Sequence, residues 1–180
     1  MAGTSAPEIY FRRIKLDRLY VHMASTKKGA LRIGMGLDAS VNTKAFFEKH
    51  YPDAELLESR EVNAPLQKTI EAAFWGQPLQ KKFKMDVACT PFQWAAMKAI
   101  ADIPFGQTRT YKEVAAMAGK PKGARAVGQA MGRNPLPLIF PCHRVVPAGG
   151  LGGFGSGLDV KRYLLKHEQR SSHQRVLRNC

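Results

Sequence analysis

The sequence predicts an α+β protein, with a small sheet and helices in the first half and mostly helices in the second. Between residues 9 and 38, short β-rich runs such as LDRLYVHMAS and GALRIGMGL are typical of a small antiparallel sheet. The stretches NTKAFFEKHYP and APLQKTIEAAFWG then predict two helices, each ended by Pro or Gly. From residues 85–91 onward the patterns are helical, so we place one domain at 1–86 and a second at 87–170.

Four helices are predicted in the second domain. Thr90 is a suitable N-cap for a helix beginning at Pro91. Two short helices, TYKEVAAMAGK and GARAVGQAMG, follow with a tight turn between them and predict a helix-turn-helix, although two helices of an ordinary bundle fit the pattern equally well. The last helix, DVKRYLLKHEQR, is followed by residues 171–180, which we expect to form a flexible tail.

The charge of the chain is concentrated in its second half. The 180 residues carry a net charge of +14. Residues 1–86 hold 14 Lys and Arg against 10 Asp and Glu, whereas residues 87–180 hold 14 against only 4. A basic chain can simply be soluble, but charge gathered in one half favours a surface that binds a polyanion, with nucleic acid as the leading candidate.

Cysteine usage and hydropathy restrict the class of protein further. Cys89, Cys142 and Cys180 are an odd number without CxxC spacing, which argues against a disulfide framework and against a zinc site. No signal peptide and no apolar run of transmembrane length is present. We therefore expect a soluble intracellular protein.

The second helix of the predicted helix-turn-helix is unusually smooth. Small residues cover much of its surface, and one long basic side chain, Arg125, stands among them. Such a helix can lie close to the DNA backbone in a narrow minor groove, while the long side chain enters the base stack. The small residues are Gly123, Ala124, Ala126 and Gly128.

Cys142 and His143, in the stretch PLIFPCHRVVPAGG, form a candidate nucleophile and base. A thiol reacts as its thiolate, so it needs a nearby base or positive charge, and His143 and Arg144 supply both. Adjacent side chains do not face each other easily, so a water bridge between Cys142 and His143 is the easier geometry. The alternative is a buried structural thiol.

Glu168 is a candidate third member of this group. It lies on the apolar stripe of the last helix, four residues after Leu164, where an unpaired carboxylate is costly. A relay from Cys142 through water and His143 to Glu168 explains this position. The alternative is a solvated glutamate at a frayed helix end.

Four segments of the second domain closely resemble the O6-alkylguanine-DNA alkyltransferases, also called methylated-DNA–protein-cysteine methyltransferases. They are IPFGQTRTYKEVA, RAVGQAM, NPLPLIFPCHRVV and KRYLLKHE, and the match extends from about Thr90 to Glu168. The resemblance implies a ribonuclease-H-like N-terminal domain, in which a small sheet is flanked by helices. It also implies a C-terminal helical domain with a winged-helix-like helix-turn-helix and an active-site loop.

The resemblance also implies roles for individual residues. Cys142 is the expected alkyl acceptor, with His143 as its base and Glu168 orienting the histidine. Asn134 is expected to brace the turn before the active-site loop, and Tyr111 to donate a proton to the guanine ring. Arg125 fills the gap left by the flipped nucleotide, and Lys112 and Lys120 are further expected DNA contacts. The expected pocket residues are Met131, Pro137, Val145, Gly153, Phe154 and Ser156.

The implied activity is irreversible, single-turnover transfer of an alkyl group from O6-alkylguanine in double-stranded DNA to Cys142, without a cofactor. The base is flipped from the minor-groove side, because a paired O6 cannot reach a thiol. The implied protein is a monomer in the cytoplasm, or in the nucleus of a eukaryote. Activity on O4-alkylthymine and cooperative binding to DNA stay open.

Three departures from the family pattern and two rival functions complete the prediction. No cysteine precedes Cys89, so the zinc of some relatives is not expected; Phe154 replaces a common aromatic hydroxyl; and Arg133 stands one residue from the family's usual arginine. Either Gly155 or Ser156 contacts O6.

The two rival functions are a cysteine hydrolase and a non-catalytic damage sensor. The presence of Cys142 counts against the sensor.

Overall fold

In the computed structural model, which describes residues 6–79 and 83–178, a four-stranded sheet occupies the first half of the chain. Strands β1 (Glu8–Leu16), β2 (Leu19–Thr26) and β3 (Gly29–Gly36) form the predicted antiparallel sheet. Strand β4 (Glu55–Glu58) pairs with β1 in parallel, which gives the order β3-β2-β1-β4. The sequence patterns do not predict β4, because its four residues are bounded by glutamates and show no alternation.

Two helices accompany this sheet, at the places where they were expected. Helix α1 (Thr43–His50) matches the prediction, whereas α2 (Arg60–Phe74) begins four residues before the predicted stretch. The oxygen of the Ser59 side chain accepts a hydrogen bond from the backbone N–H of Val62 and caps α2. Pro65 therefore lies inside the helix rather than at its start, where proline is usually favoured.

The second half contains helices α3 (Pro91–Ala101), α4 (Tyr111–Met117) and α5 (Ala124–Gly132), packed on one another. Thr90 caps α3 as predicted, and Thr90 and Thr110 each form a capping box with the residue three positions later. Helix α5 buries Val127, Ala130 and Met131. The α+β class and the helix-turn-helix, formed by α4 and α5, are therefore confirmed.

A second, two-stranded sheet positions the active-site loop. Strand β5 (Arg109–Thr110) pairs in parallel with β6 (Val145–Val146). Tyr111 follows β5 directly, and one turn of 3-10 helix, Cys142–Arg144, precedes β6 directly. The pairing therefore brings the start of α4 next to the turn that carries Cys142.

Helix α6 (Leu158–Arg178) is longer than predicted, so residues 171–178, which we expected to form a flexible tail, are helical in the structure. No Pro or Gly interrupts residues 171–178. The helix is held there by Ser172, whose hydroxyl donates a hydrogen bond to the Phe105 carbonyl at 3.5 Å and packs against Gly106. Residues 179–180 lie outside the described residues.

One apolar core extends through both halves of the chain. It joins side chains of the sheet, such as Leu16 and Val21, to Leu136, Cys142 and Leu164 of the second half. The backbone N–H of Ile33 in β3 also donates a 2.8 Å hydrogen bond to the carbonyl of Pro135. In the part of the chain that is described, no helix has the length and apolar character needed to cross a membrane.

The cap of α4 gives a first test, because this helix positions Tyr111. Replacing Thr110 by Ala removes the oxygen that accepts from the N–H of Glu113, and we expect the free energy of unfolding to fall by about 1 kcal/mol. Urea unfolding measures the change. Thr110→Ser should retain most of the stability, and Thr108→Ala, at an exposed neighbour, should change it little. Equal losses in the Thr108 and Thr110 alanine variants would contradict the capping role.

Candidate active site

A buried carboxylate, Glu168, holds the centre of the site together. Only 3% of Glu168 is exposed, which confirms its predicted position on the buried face of α6. One carboxylate oxygen lies 2.7 Å from Nε2 of His143, and the other accepts a 2.9 Å hydrogen bond from the backbone N–H of Gly106. Glu168 thereby connects α6, the 3-10 turn and the loop after α3.

Arg144 supplies the countercharge that this carboxylate requires. Its guanidinium donates from Nε and Nη2 to Glu168 at 2.9 to 3.2 Å, and its Nη1 donates to the carbonyl of Ile103 at 2.7 Å. Two-nitrogen contact with a carboxylate is the strongest ion-pair geometry in proteins. Burial of Glu168 opposes ionisation, but the hydrogen bonds from His143 and Arg144 and the charge of Arg144 lower its pKa to about 2.

The ionised carboxylate fixes the tautomer of His143. Burial is the main cause that lowers the pKa of His143, and the charges of Arg144 and Lys161 act in the same direction, so the imidazole is neutral at pH 7. Because ionised Glu168 can only accept, the imidazole proton resides on Nε2 and the lone pair on Nδ1. Nδ1 is buried and has no hydrogen-bond partner among residues 6–79 and 83–178. His143 is therefore prepared to accept a proton at Nδ1.

Cys142 is buried at the edge of this group, with 7% of its surface exposed. Burial raises the pKa of its thiol, while a hydrogen bond from Asn134 and the charge of Lys161 oppose that rise. Asn134 also clamps the preceding turn, since its Nδ2 donates to the Phe140 carbonyl at 2.8 Å and its Oδ1 accepts from the Leu136 N–H at 3.0 Å. The expected bracing by Asn134 is thus present in the structure.

The braced turn contains a strained backbone position. Leu138 has φ of 75°, in the left-handed region that a bulky residue rarely adopts. Such a residue costs about 1–3 kcal/mol and persists only where its surroundings enforce it. Here the two Asn134 hydrogen bonds and burial of the Leu138 side chain enforce it.

A buried lysine, Lys161 in α6, is a site residue that the sequence analysis missed. Its Nζ donates to the Val145 carbonyl at 2.7 Å and to the Gly153 carbonyl at 3.4 Å. Burial lowers the pKa of Lys161, and a charge on Cys142 opposes this. The ammonium therefore ties together the two ends of the loop beyond Cys142 and stabilises a thiolate there.

Cys142 opens onto a cavity of about 240 Å³. Tyr111, Met131, Gly153 and Phe154, all predicted site residues, line this cavity. The ring of Tyr111 comes close to α5, since a Cβ at Gly128 would lie 3.8 Å from it. Burial is the main cause that raises the pKa of Tyr111, with a contribution from Cys142, so its hydroxyl keeps its proton at pH 7.

Three residues predicted for the pocket do not line it. Val145 is fully buried, with its carbonyl on Lys161, and Pro137 is buried in the turn before Cys142. Ser156 is absent from the lining, whereas Gly155 is present. Of the two residues proposed to contact O6, Gly155 therefore faces the cavity.

The predicted DNA contacts are exposed or partly exposed residues of α4, α5 and the turn between them. Arg125 is exposed on α5, and Gly123, Ala124, Ala126 and Gly128 around it are each partly exposed. Lys112 is exposed on α4. Lys120, in the connecting turn, lies over the ring of Phe92 at 4.9 Å. The surface formed by α4 and α5 thus joins a basic face to the Cys142 cavity through Tyr111 and Gly128.

The site residues that sequence analysis missed differ in the signal they leave. Lys161 precedes Leu164 by three residues and Glu168 by seven, so helical spacing alone could have placed it on the buried face. Arg144 was considered only as a source of positive charge. Gly106 takes part through its backbone N–H, which no side-chain pattern reveals. Within the described ranges, no group of three His, Cys, Asp or Glu residues could hold a metal ion.

Comparison with known proteins gives a consistent family. Residues 91–170 match the family model described as 6-O-methylguanine DNA methyltransferase, DNA binding domain. An inducible methylated-DNA–protein-cysteine methyltransferase of Bacillus subtilis is 31% identical over 172 residues, which cover 95% of this chain and 96% of that one. A methylated-DNA–protein-cysteine methyltransferase of Methanosarcina barkeri is 43% identical over 119 residues, or 66% and 75% of the two chains.

Solved structures agree with these relatives. The O6-methylguanine methyltransferase of Mycobacterium tuberculosis has a TM-score of 0.70 at 30% identity, covering 91% of this chain and 94% of its own. The M. tuberculosis protein solved in complex with DNA has the same TM-score at 31% identity, covering 90% and 94%. A Pyrococcus kodakaraensis structure at 22% identity shares the fold.

Glu168→Gln tests the central ion pair. The variant leaves the Arg144 guanidinium buried without its countercharge, and we expect the free energy of unfolding at neutral pH to fall by about 3 kcal/mol. The folded pKa of Glu168 is about 2 against an ordinary value of 4.5. Its stabilising effect is therefore complete above pH 4.5 and is lost as the pH falls towards 2. Urea unfolding across this range should show the gap between wild type and variant narrowing in acid.

The matched control for this variant lies on the same helix. Asp159 is exposed and pairs only with exposed Arg162, so Asp159→Asn should change the unfolding free energy little. If the difference in unfolding free energy between wild type and Glu168→Gln stays constant down to about pH 3, Glu168 is not ionised in the folded protein.

Lys161→Met tests the influence of the ammonium on the thiol. Methionine retains most of the packing volume but not the charge, so we expect the pKa of Cys142 to rise further. The pH dependence of Cys142 alkylation by iodoacetamide, followed by peptide mass, measures the midpoint. Lys166→Met, at an exposed position of α6, should leave it unchanged. If the variant only loosened the loop, the thiol would become exposed and the pH midpoint of alkylation would fall. A midpoint that falls instead of rising would exclude the electrostatic role of Lys161.

Proposed function

Because the chain belongs to the methylated-DNA–protein-cysteine methyltransferases, we propose that it repairs DNA by moving an alkyl group from O6 of guanine to Cys142. The observation that supports this most directly is the position of Cys142. Its thiol is buried beside a neutral histidine, opens onto a small cavity, and is joined to a basic helix-turn-helix surface. We assign residues 87–170 as the DNA-binding alkyltransferase domain.

The chemical step needs a thiolate and a protonated leaving group. The thiol proton passes to Nδ1 of His143, and we expect one water to join the two groups, since no direct hydrogen bond connects them. The sulfur then bonds to the alkyl carbon as the bond between that carbon and O6 breaks. Tyr111, which keeps its proton, donates to the guanine ring, and Lys161 stabilises the thiolate before transfer.

Tight control of ionisation follows from this arrangement. The raised pKa of Cys142 keeps the resting thiol protonated, and the lowered pKa of His143 keeps the base free. The resting pair is therefore a neutral thiol beside a neutral imidazole, and the thiolate forms when the proton passes to Nδ1. The product is a thioether, which has no carbonyl for water to attack, so each molecule reacts once.

Access to O6 requires the base to leave the duplex. We propose that α5 lies in the minor groove with its small residues against the backbone, and that exposed Arg125 takes the place of the flipped nucleotide. Gly155 and the other cavity residues then surround the base. We place the protein where the genome is, in the cytoplasm or in a eukaryotic nucleus.

Neither rival function is favoured by an observation of the site. A cysteine hydrolase would turn over repeatedly and would need donors for an oxyanion beside Sγ. A non-catalytic damage sensor has no use for a thiol coupled to a histidine and a carboxylate. Sustained turnover in a peptidase or esterase assay would favour the hydrolase.

Intact-mass analysis tests the acceptor. After mixing with duplex DNA containing O6-methylguanine, we expect the protein to gain the mass of one methylene group, located on the peptide that holds Cys142. Cys142→Ser should show no gain, whereas Cys89→Ser should react like wild type, because Cys89 lies outside the site. No gain in folded wild-type protein would refute the proposed function.

Arg125→Ala tests base flipping separately from chemistry. The side chain is exposed on α5 and does not line the cavity, so we expect repair of duplex DNA to fall by about tenfold or more while reaction with free O6-benzylguanine is kept. Single-turnover rates on both substrates measure the difference. Gln129→Ala, exposed on the same helix, is the control, and equal loss on both substrates in Arg125→Ala would argue against the flipping role.

A further inference from the structure

A groove of about 720 Å³ lies apart from the Cys142 cavity and shares no lining residue with it. Helix α6 forms one side, and the turn between β1 and β2 and the end of α2 form the other. We call it the α6 groove, and the residues of its lining that matter here are Arg18, Trp75, Arg162, Tyr163, Lys166 and Arg170.

The α6 groove carries a net positive charge, since Arg18, Arg162, Lys166 and Arg170 line it against two acidic residues. Asp159 pairs with Arg162, and Asp17 accepts a 2.8 Å hydrogen bond from the neutral Tyr163 hydroxyl. Arg18, Lys166 and Arg170 form no ion pair with any residue of 6–79 or 83–174. The groove therefore presents cations that nothing in the described part of the chain neutralises, which is the electrostatic signature of a site for a polyanion.

Two of these cations, Lys166 and Arg170, continue a regular row that begins at the Asp159-paired Arg162. Arg162, Lys166 and Arg170 follow one another at intervals of four residues on α6, so they share one helix face. Successive members are about 6 Å apart along the helix axis. This is close to the separation of neighbouring phosphates along one nucleic-acid strand, so the row can follow a single backbone.

Aromatic rings form the floor and the rim of the groove. His167 stacks on Phe74 at 4.0 Å and on Tyr163 at 6.2 Å, and its Nε2 donates to the Phe74 carbonyl at 3.0 Å, which fixes the ring. The indole of Trp75 stands edge-on to His167 and leaves 44% of Trp75 exposed. A large indole held on a rigid base at the surface is a stacking platform for a planar group.

We propose that the α6 groove is a second nucleic-acid site, which binds an unpaired single strand. Its phosphates lie along Arg162, Lys166 and Arg170, and a base stacks on Trp75. A row of cations beside an exposed aromatic ring is the combination that single-strand sites use, since every base offers a stacking face. A duplex hides those faces, and a chain of glutamates has none. The inference does not depend on alkyl transfer at Cys142.

Tryptophan fluorescence tests the proposal in the full chain. Trp75 and Trp94 are the only tryptophans, so the Trp94→Phe variant makes Trp75 the sole emitter. We expect a short oligodeoxythymidylate to quench its emission saturably. An abasic strand of the same length, which carries phosphates without bases, should quench little, and so should oligoglutamate. Absence of saturable quenching by the thymidylate strand, or equal quenching by either control ligand, would overturn the proposal.

Charge reversal tests the cation row in the same variant. Lys166→Glu with Arg170→Glu should weaken strand binding by about tenfold or more and lower the slope of log K against log salt by about 1.4, because each single-strand phosphate contact contributes about 0.7. Lys49→Glu with Arg60→Glu removes the same charge from exposed positions outside the groove and should change the slope little. Equal effects of the two pairs would refute a localised site.

A last pair of measurements separates the two nucleic-acid sites. Trp75→Leu keeps apolar contacts but removes the indole, and we expect it to weaken strand binding, measured by anisotropy of a labelled strand, by about fivefold or more. Alkyl transfer from duplex DNA should be unchanged in this variant and in the Lys166/Arg170 pair. If strand binding instead is kept in these variants and lost in Arg125→Ala, the strand binds on α5 and the proposal fails.

Discussion

The structure of the site depends on the ionised carboxylate of Glu168, buried where water cannot solvate it. A carboxylate in that position is tolerated only if protein groups replace its hydration, and three parts of the chain do so: Arg144 and His143 from the 3-10 turn, and the Gly106 N–H from the loop after α3. The same contacts fix the imidazole tautomer and the orientation of the turn. The position of Cys142 is therefore a consequence of solvating Glu168.

Around this centre the protein separates the functions that alkyl transfer needs. The carboxylate and Arg144 neutralise each other, so the positive charge that the sulfur experiences comes from Lys161. His143 is left neutral with a free lone pair, and Tyr111 is left protonated at the cavity. A proton acceptor and a proton donor thus coexist at one pH because burial shifts the pKa of the histidine down and that of the tyrosine up.

Much of this could be predicted from the sequence, and the failures have physical causes. Periodicity and capping, which are local properties, predict the α+β fold class, the helix-turn-helix and the buried position of Glu168. Strand β4 exists because β1 offers it an edge, which is a tertiary effect, and α2 begins early because Ser59 outcompetes Pro65 as a start signal. Arg144 and Gly106 enter the site through long-range contacts that spacing does not encode. The relay of Cys142, His143 and Glu168 and the position of Arg125 followed from residue patterns, whereas the roles of Asn134, Tyr111 and the pocket residues came from the family resemblance.

One consequence follows from Cys142 being part of the main apolar core rather than a surface loop. The sulfur shares that core with side chains of the sheet, and its cavity is small. Each carbon added to the sulfur must therefore fit into that cavity or displace close-packed neighbours, and overpacking of the second kind costs folding free energy. The spent protein carries a chemical record of the lesion it removed, and its melting temperature becomes a measure of how large that lesion was.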